Sequence, residues 1–543
     1  MTSANWLLPA LVAVPLLGSL ALFGLRRISD TSAAWFGTAV AVVTLALGIA
    51  ATWAAAPYDV TVAGSGGPHL QVDLRWIPAL GLRLHLGLDG VSAPLVLLTA
   101  LLGVLVCGHL IRVRPEAGRT RWLVACVLAV VGGAVGTFTA LDLLLFFIAF
   151  ETVLVPMWFI VAVWGDDRQP AATEPVWAPA PGGEPARRDA ANRFVLYTAT
   201  GSAVMLLGII LIALRAGTTD LVELAGGAGA RLPQGVQVTA AVLIVLGLAV
   251  KSPMFPLHTW LPPAHTIAPT GGSVLLAGVL LKMGTYGLVR LVVPVLPAGM
   301  EALAPYLGAF GVAGILWGGL ACLVERDLKR LVAMSSVAHM GFVLLGISSM
   351  TPQGLQGALY ANIGHGIVSA LLFFVVGAVK DRHHTSDLVL LGAGLRDRLP
   401  RLGWLLALGA IAGLGLPGLA VFWGELLAIA GAWNAGPASG ADPAGALGAW
   451  ARPLAVLAVI GTAVAAAYWL RVLYSVWHGE REPRWTTAVM GDATRHETAT
   501  TAPLVIATLA LGLLPGPLLA ATSPTVQLML SQGWFAYRAG GAP

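Results

Sequence analysis

The chain has 543 residues, 57% of them apolar and only 10% charged, against about 25% charged in a soluble globular protein. That composition excludes a soluble enzyme and points to an all-α polytopic membrane protein. The net charge of +5 is what basic cytoplasmic loops leave behind, so the implied partner is the lipid bilayer and not nucleic acid.

A helix crosses the hydrocarbon core with about 20 mostly apolar residues. By that rule fourteen spans are predicted, at 6–25, 33–56, 91–111, 122–139, 141–164, 194–214, 239–261, 268–293, 303–324, 331–350, 357–379, 402–430, 453–477 and 501–521. The N-terminal stretch lacks the positive n-region of a signal peptide and is long enough to cross, so it reads as span 1. The polar stretches 57–90, 165–193, 380–401 and 478–500 are too short and too unpatterned for a folded extramembrane domain. Of the 31 Lys and Arg, 21 fall in loops after odd-numbered spans and five after even-numbered ones. Positive residues stay on the cytoplasmic side, which predicts both termini on the outer, periplasmic side.

Two spans are interrupted. Span 7 runs into KSPMFPLHTWLPPAH, where Pro253 and Pro256 break the hydrogen-bond ladder just after Lys251. Span 12 contains GLGLPGLAVFWGE, with Gly413, Gly415, Pro417 and Gly418 ahead of Glu425. Breaks at membrane depth are tolerated where the backbone is buried or lines a hydrated cavity, and corresponding breaks in two halves point to a transport site. The breaks lie five spans apart. The expected organisation is therefore three N-terminal helices (1–111), a first repeat of spans 4–8 (122–293), a second of spans 9–13 (303–477) and a final helix (501–521). Repeats with an odd number of spans must be inverted relative to one another.

The titratable groups inside the spans carry the chemistry. The chain has 27 Arg but only four Lys, at 251, 282, 329 and 380, and two of these lie at membrane depth. Arginine holds its proton at any usable pH, whereas buried lysine titrates. A sequence so rich in Arg that places Lys251 and Lys282 in the membrane reads as choosing groups that exchange protons; a structural or snorkelling lysine is the alternative. Glu151 sits midway along span 5 and needs a partner at that depth; Lys251 is the candidate. Glu425 is the second intramembrane acid. His339 and His365, in spans 10 and 11, can switch charge near neutral pH or serve as hydrogen-bonded packing residues. His258 and His265 follow the span 7 break and are candidates for a mouth. Tyr286 shares a helix face with Lys282 at i, i+4. Such a file is expected to need water between its members, because side chains on separate helices rarely touch in series. Cys107, Cys126 and Cys322 are isolated, with no CxxC spacing, and no dinucleotide or P-loop motif occurs. Any redox cofactor is expected on another chain.

KSPMFPLHTWLPPAHTIAPTGGSVLLAGVLLKMGTYGLVR, ERDLKRLVAMSSVAHMGF and LLLFFIAFETVLVPMW resemble the proton-conducting membrane subunits of respiratory complex I and the related Mrp-type cation/proton antiporters, from about Leu88 through span 13. Within that family the chain is similar to subunit M, called chain 4 in mitochondria. Glu425 in FWGE decides this, because sister subunits typically carry lysine there. The resemblance implies fourteen core helices, two inverted five-helix repeats and a central hydrophilic axis. It makes Glu151 and Lys251 a coupled pair, Lys282 the central relay, His339 and His365 intermediate relays and Glu425 the terminal group. It also implies a bacterial inner membrane, adjacent antiporter-like partner subunits, and NADH, flavin, iron–sulfur clusters and quinone on those partners, with none on this chain. Pro263 stands where the family usually has an acid before AH, and Ile267 where a polar residue is common, which weakens an uptake role for His265. The alternatives are an Mrp-type sodium/proton antiporter subunit, a membrane subunit of an energy-converting hydrogenase, and a scaffold that does not translocate.

Overall fold

Hydropathy dictates most of the architecture. A computed structural model describes residues 4–25, 28–56, 70–77, 81–115, 117–166, 184–436, 446–479 and 490–535. Among these, twelve helices are long and apolar enough to cross a membrane, or thirteen when Arg495–Leu513 and Gly516–Gln532, bent by 72° at their junction, count as one. Predicted span 12 is realised as two shorter helices, Pro400–Gly413 and Ala420–Asn434. Between them Gly415 and Gly418 take φ of 78° and 90°, a backbone that a residue with a Cβ resists. The chain is an all-α polytopic membrane protein.

Proline sets two further breaks. The helix Gln234–Lys251 stops at the lysine, and helix resumes at Leu261–Ile267; Pro253 and Pro256 cannot donate to a continuing ladder. Span 5 is divided at Val153 into Leu143–Thr152 and Leu154–Trp164. Pro156 lacks the N–H that would reach the Thr152 carbonyl, so Glu151 sits beside a break that the hydropathy profile hid. Span 8 contains two π-helical segments, Leu276–Leu280 and Leu288–Val292, on either side of Lys282 and Tyr286. Single π turns inside α-helices recur at functional sites.

Two expectations need correcting at the edges. The helix of span 6 begins at Glu184 and runs to Ala216, ten residues before its predicted start at 194. Most of the predicted 165–193 loop, residues 167–183, lies outside the described residues. The 57–90 stretch holds an antiparallel hairpin, β1 (Leu70–Ile77) paired with β2 (Leu82–Leu88), in register from Leu70↔Leu88 to Ile77↔Leu82 with a bulge after Arg75. Strand β2 is largely buried, because Leu82, Leu86 and Leu88 join the core.

Pro352–His383 and Leu328–Ser348 form the centre and are buried nearly throughout, while Trp35, Trp53, Trp317, Trp404 and Trp450 stand exposed on the outside, as aromatic side chains do at bilayer interfaces. The Ala420–Asn434 helix approaches the centre closely. A Cβ on Gly364 would come 2.5 Å from the Ala420 carbonyl oxygen, and one on Gly424 would come 2.5 Å from the Ala361 backbone. Small residues let the backbones meet, and that approach delivers Glu425 to the central helices.

Candidate functional site

Four of the six singled-out residues form one buried line. Lys282, fully buried, lies with Nζ 2.6 Å from the Ala277 carbonyl oxygen and 2.6 Å from His365 Nδ1. The rings of His365 and His339 stand 5.4 Å apart between centroids. His339 Nδ1 then meets Glu425 Oε1 at 2.7 Å. The expectation that water separates the members is corrected at two junctions, where Lys282 touches His365 and His339 touches Glu425 because small residues bring their helices close; between the two histidines no hydrogen bond forms, and His365 Nε2 has no partner among the described residues. Gly366 places an ideal Cβ only 3.5 Å from Lys282 Cε, and Gly415 places one 3.0 Å from Glu425 Oε2. Asn362, three residues before His365, accepts a 2.9 Å hydrogen bond from Thr285, three residues after Lys282, and locks the two helices in register.

Glu151 and Lys251 occupy neighbouring positions without a direct bond. Lys251 is 2% exposed, and neither its Nζ nor Glu151 Oε1 has a hydrogen-bond partner among the described residues. The ammonium instead sits 4.4 Å from the centroid of the Phe150 ring. The carboxylate nevertheless acts on the lysine through space. The structure brings these two together as electrostatic neighbours and leaves the ion pair open.

Sequence reasoning passed over a third buried amine. Lys329 is 5% exposed and donates to the carbonyl oxygens of Thr266 (3.3 Å) and Ala268, closing the short helix that carries His265. His265 is fully buried, lies parallel to Phe373 with centroids 4.7 Å apart, and offers two ring nitrogens without a partner among the described residues. It is within electrostatic reach of Lys329 and of Lys282. Nearer the surface, Lys380 pairs with Asp166 at 2.7 Å. The available signal was lysine scarcity itself: Lys329 and Lys380 are the two lysines not assigned to spans. His258, with Nδ1 unpartnered among the described residues, stacks on Phe255 at 5.7 Å, off this line.

The opposite end of the bundle is closed by ion pairs that also escaped the sequence. Tyr286 donates to the Phe138 carbonyl at 2.8 Å, Arg290 donates to the Tyr286 hydroxyl at 3.1 Å, and Arg290 pairs with Asp89 at 2.6 Å. Burial opposes ionisation of Asp89, but Arg290 and the Ser92 and Val91 amides hold its carboxyl below the ordinary value. Beside it, His85 Nδ1 meets Asp220 at 2.5 Å; burial again opposes ionisation, but His85, the Glu223 amide and Arg83 together hold the Asp220 carboxyl low. Asp142 caps the Leu143–Thr152 helix by accepting from the Leu144 and Leu145 amides.

Cys107, Cys126 and Cys322 are free and buried, and the described residues contain no group of three metal-ligating side chains.

Residues 180–441 match the NADH:quinone oxidoreductase/Mrp antiporter transmembrane family. The chain is 36% identical to a Synechococcus NAD(P)H-quinone oxidoreductase chain 4 over 93% of its length and 90% of the relative's. It is 34% identical to NADH-quinone oxidoreductase subunit M of Pseudomonas aeruginosa, over 87% and 88% of the two chains. Its fold superposes on a chain of respiratory complex I from Thermus thermophilus with a TM-score of 0.78 at 26% identity, covering 97% and 98% of the two chains. A chain of the Mrp complex of Dietzia shares the fold, with a TM-score of 0.78 at 22% identity and coverage of 98% and 100%. A buried Lys–His–His–Glu line, broken helices beside it and this kinship along nearly the whole length converge: the chain belongs to the subunit M/chain 4 family of NADH-quinone oxidoreductase membrane proteins.

Proposed function

We propose that this chain is a proton-translocating membrane-arm subunit of an NADH–quinone oxidoreductase, driven by redox chemistry in partner subunits and carrying no redox centre itself. The observation that carries the reading is the buried line Lys282–His365–His339–Glu425, with direct contacts at its two ends. The Lys282 ammonium donates to a neutral His365 Nδ1. The resulting imidazolium releases the proton on Nε2, which has no hydrogen-bond partner among the described residues, to a water that carries it to His339, whose ring centroid lies 5.4 Å away. His339 then hands a proton to the Glu425 carboxylate from Nδ1. Each transfer moves one proton from a donor to an acceptor, so the line is reset by one proton entering at Lys282 and one leaving at Glu425. Glu151 and Lys251 act as the coupled pair that admits the drive. Both halves of the chain contribute, in keeping with two inverted five-helix repeats of spans 4–8 and 9–13.

Orientation follows the arginine asymmetry. Both termini face the outer side of a bacterial inner membrane, which assigns the Asp166–Lys380 pair and buried Lys329 to the cytoplasmic end, where His265 leads toward Lys282. Protons are taken up there and leave near Glu425. The partners are the adjacent antiporter-like subunits of the same membrane arm. NADH-driven acidification of inverted membrane vesicles tests the reading. A chain in which Lys282, His365 and Glu425 variants assemble yet pump normally has no such relay. Glu425, in place of the lysine typical of sister subunits, separates this reading from a sodium/proton antiporter, for which transport would require added sodium.

A further inference from the structure

The Lys251 ammonium rests on an aromatic face. Its Nζ lies 4.4 Å from the Phe150 ring centroid and, among the described residues, makes no hydrogen bond. Phe150 immediately precedes Glu151 on the Leu143–Thr152 helix, so one lysine has two competing seats within a single helical turn, a ring and a carboxylate. The ring is fixed in place. Phe150, 1% exposed, stacks on Phe146 with centroids 5.6 Å apart and planes at 24°; Phe146 lies nearly parallel to Tyr286 at 6.5 Å; and Tyr286 stands edge-on to Phe138 at 5.2 Å. Tyr286 belongs to the helix segment that carries Lys282.

We propose that Phe150 is a positioning residue that holds the Lys251 ammonium while its ion pair with Glu151 is open. A buried cation without a partner is costly, and an open pair is therefore short-lived unless something else stabilises the charge. A desolvated aromatic face does so electrostatically, through its negative quadrupole, without donating or accepting a proton. It competes with Glu151 for the cation but not for the proton, which leaves Lys251 free to pass the proton on. The stack beyond it keeps the face presented and ties the seat to the Tyr286 turn. This inference rests on the reading of Glu151 and Lys251 as a working pair.

The test is made in the assembled complex in inverted membrane vesicles, with Phe150 replaced by mono-, di- and trifluorophenylalanine. Fluorine withdraws charge from the ring face with little change in shape, so packing is nearly constant across the series. The expected result is a NADH-driven pumping rate that falls by a similar ratio with each added fluorine, reaching about 10-fold for trifluorophenylalanine, as for loss of a desolvated cation–π contact. Phe150→Trp retains pumping and Phe150→Leu loses it. Pumping indifferent to fluorination, with Lys251→Ala still inactive, overturns the aromatic seat alone. Normal pumping by Lys251→Ala overturns the underlying pair as well.

Discussion

Lys282 Nζ and His365 Nδ1 lie 2.6 Å apart in the fully buried centre of the bundle, joined from helices 83 residues apart in sequence. An ammonium can donate to that nitrogen only if the imidazole is neutral there, so the two groups share one mobile proton between them. Lys282→Arg keeps a donor and removes the ability to release the proton. NADH-driven pumping should fall by about 10²-fold, the low end of what a positioned proton transfer contributes, with the complex still assembled. Pumping within about twofold of the parent, normalised to assembled complex, would reduce Lys282 to a structural cation.

Glu151 and Lys251 should be coupled although no bond joins them. Removing either changes the field at the other, so a double-mutant cycle with Glu151→Gln and Lys251→Ala on pumping rate should show an interaction of about 0.5–3 kcal/mol, as for residues in contact. Additive losses would mean that the two work independently.

Glu425 presents its carboxylate to His339 at 2.7 Å, the counterpart of the Lys282–His365 contact. Glu425→Gln preserves shape and hydrogen bonding but cannot titrate, and pumping should stop with assembly intact. Glu425→Lys would create a second lysine–histidine contact of the kind already present at Lys282, and should pump better than Gln. A carboxylate needed only for packing gives the reverse order, Gln benign and Lys damaging.

The Asp89–Arg290 pair makes a prediction about stability and pH. Arg290 holds the Asp89 carboxyl below its ordinary value against the pull of burial, so the pair stabilises the fold above the unfolded carboxyl pKa of about 3.9 and loses that contribution only as pH falls through the lower folded value. Arg290→Met leaves a buried carboxylate without its cation, which costs about 3–5 kcal/mol. The variant's Asp89 is then raised by burial and prefers to be protonated, so its deficit should shrink as pH drops from 8 to 5. Thermal unfolding of the purified complex across that range reads both effects; a deficit independent of pH would assign the loss to packing.

Much of this was legible in the sequence, for identifiable reasons. Apolar runs located the spans, Pro253 and Pro256 marked the end of the Lys251 helix, and the contrast between 27 Arg and four Lys singled out the buried amines. Periodicity along one helix says nothing of which turns of two distant helices meet, so neither the Lys282–His365 nor the His339–Glu425 contact was visible, and water was expected in their place. The break at Val153 was hidden because LVPMW is as apolar as its surroundings. The hairpin was hidden because LQVDLRWI and LRLHLGL look merely polar beside fourteen predicted membrane spans. Arg290 was the legible omission: it follows Lys282 and Tyr286 at eight and four residues, on the same helix face.

The burial of the lysines has an analytical consequence. Lys251, Lys282 and Lys329 are 2%, 0% and 5% exposed, and Lys380, side chain 12% exposed, is engaged by Asp166. An acylating reagent applied to intact membranes therefore meets one side-chain amine near the surface and three that react only when the interior admits it. With so few competing sites, the order and rate at which these peptides gain an acyl mass, compared between resting and NADH-energised membranes, would time the opening of each part of the axis without any introduced label.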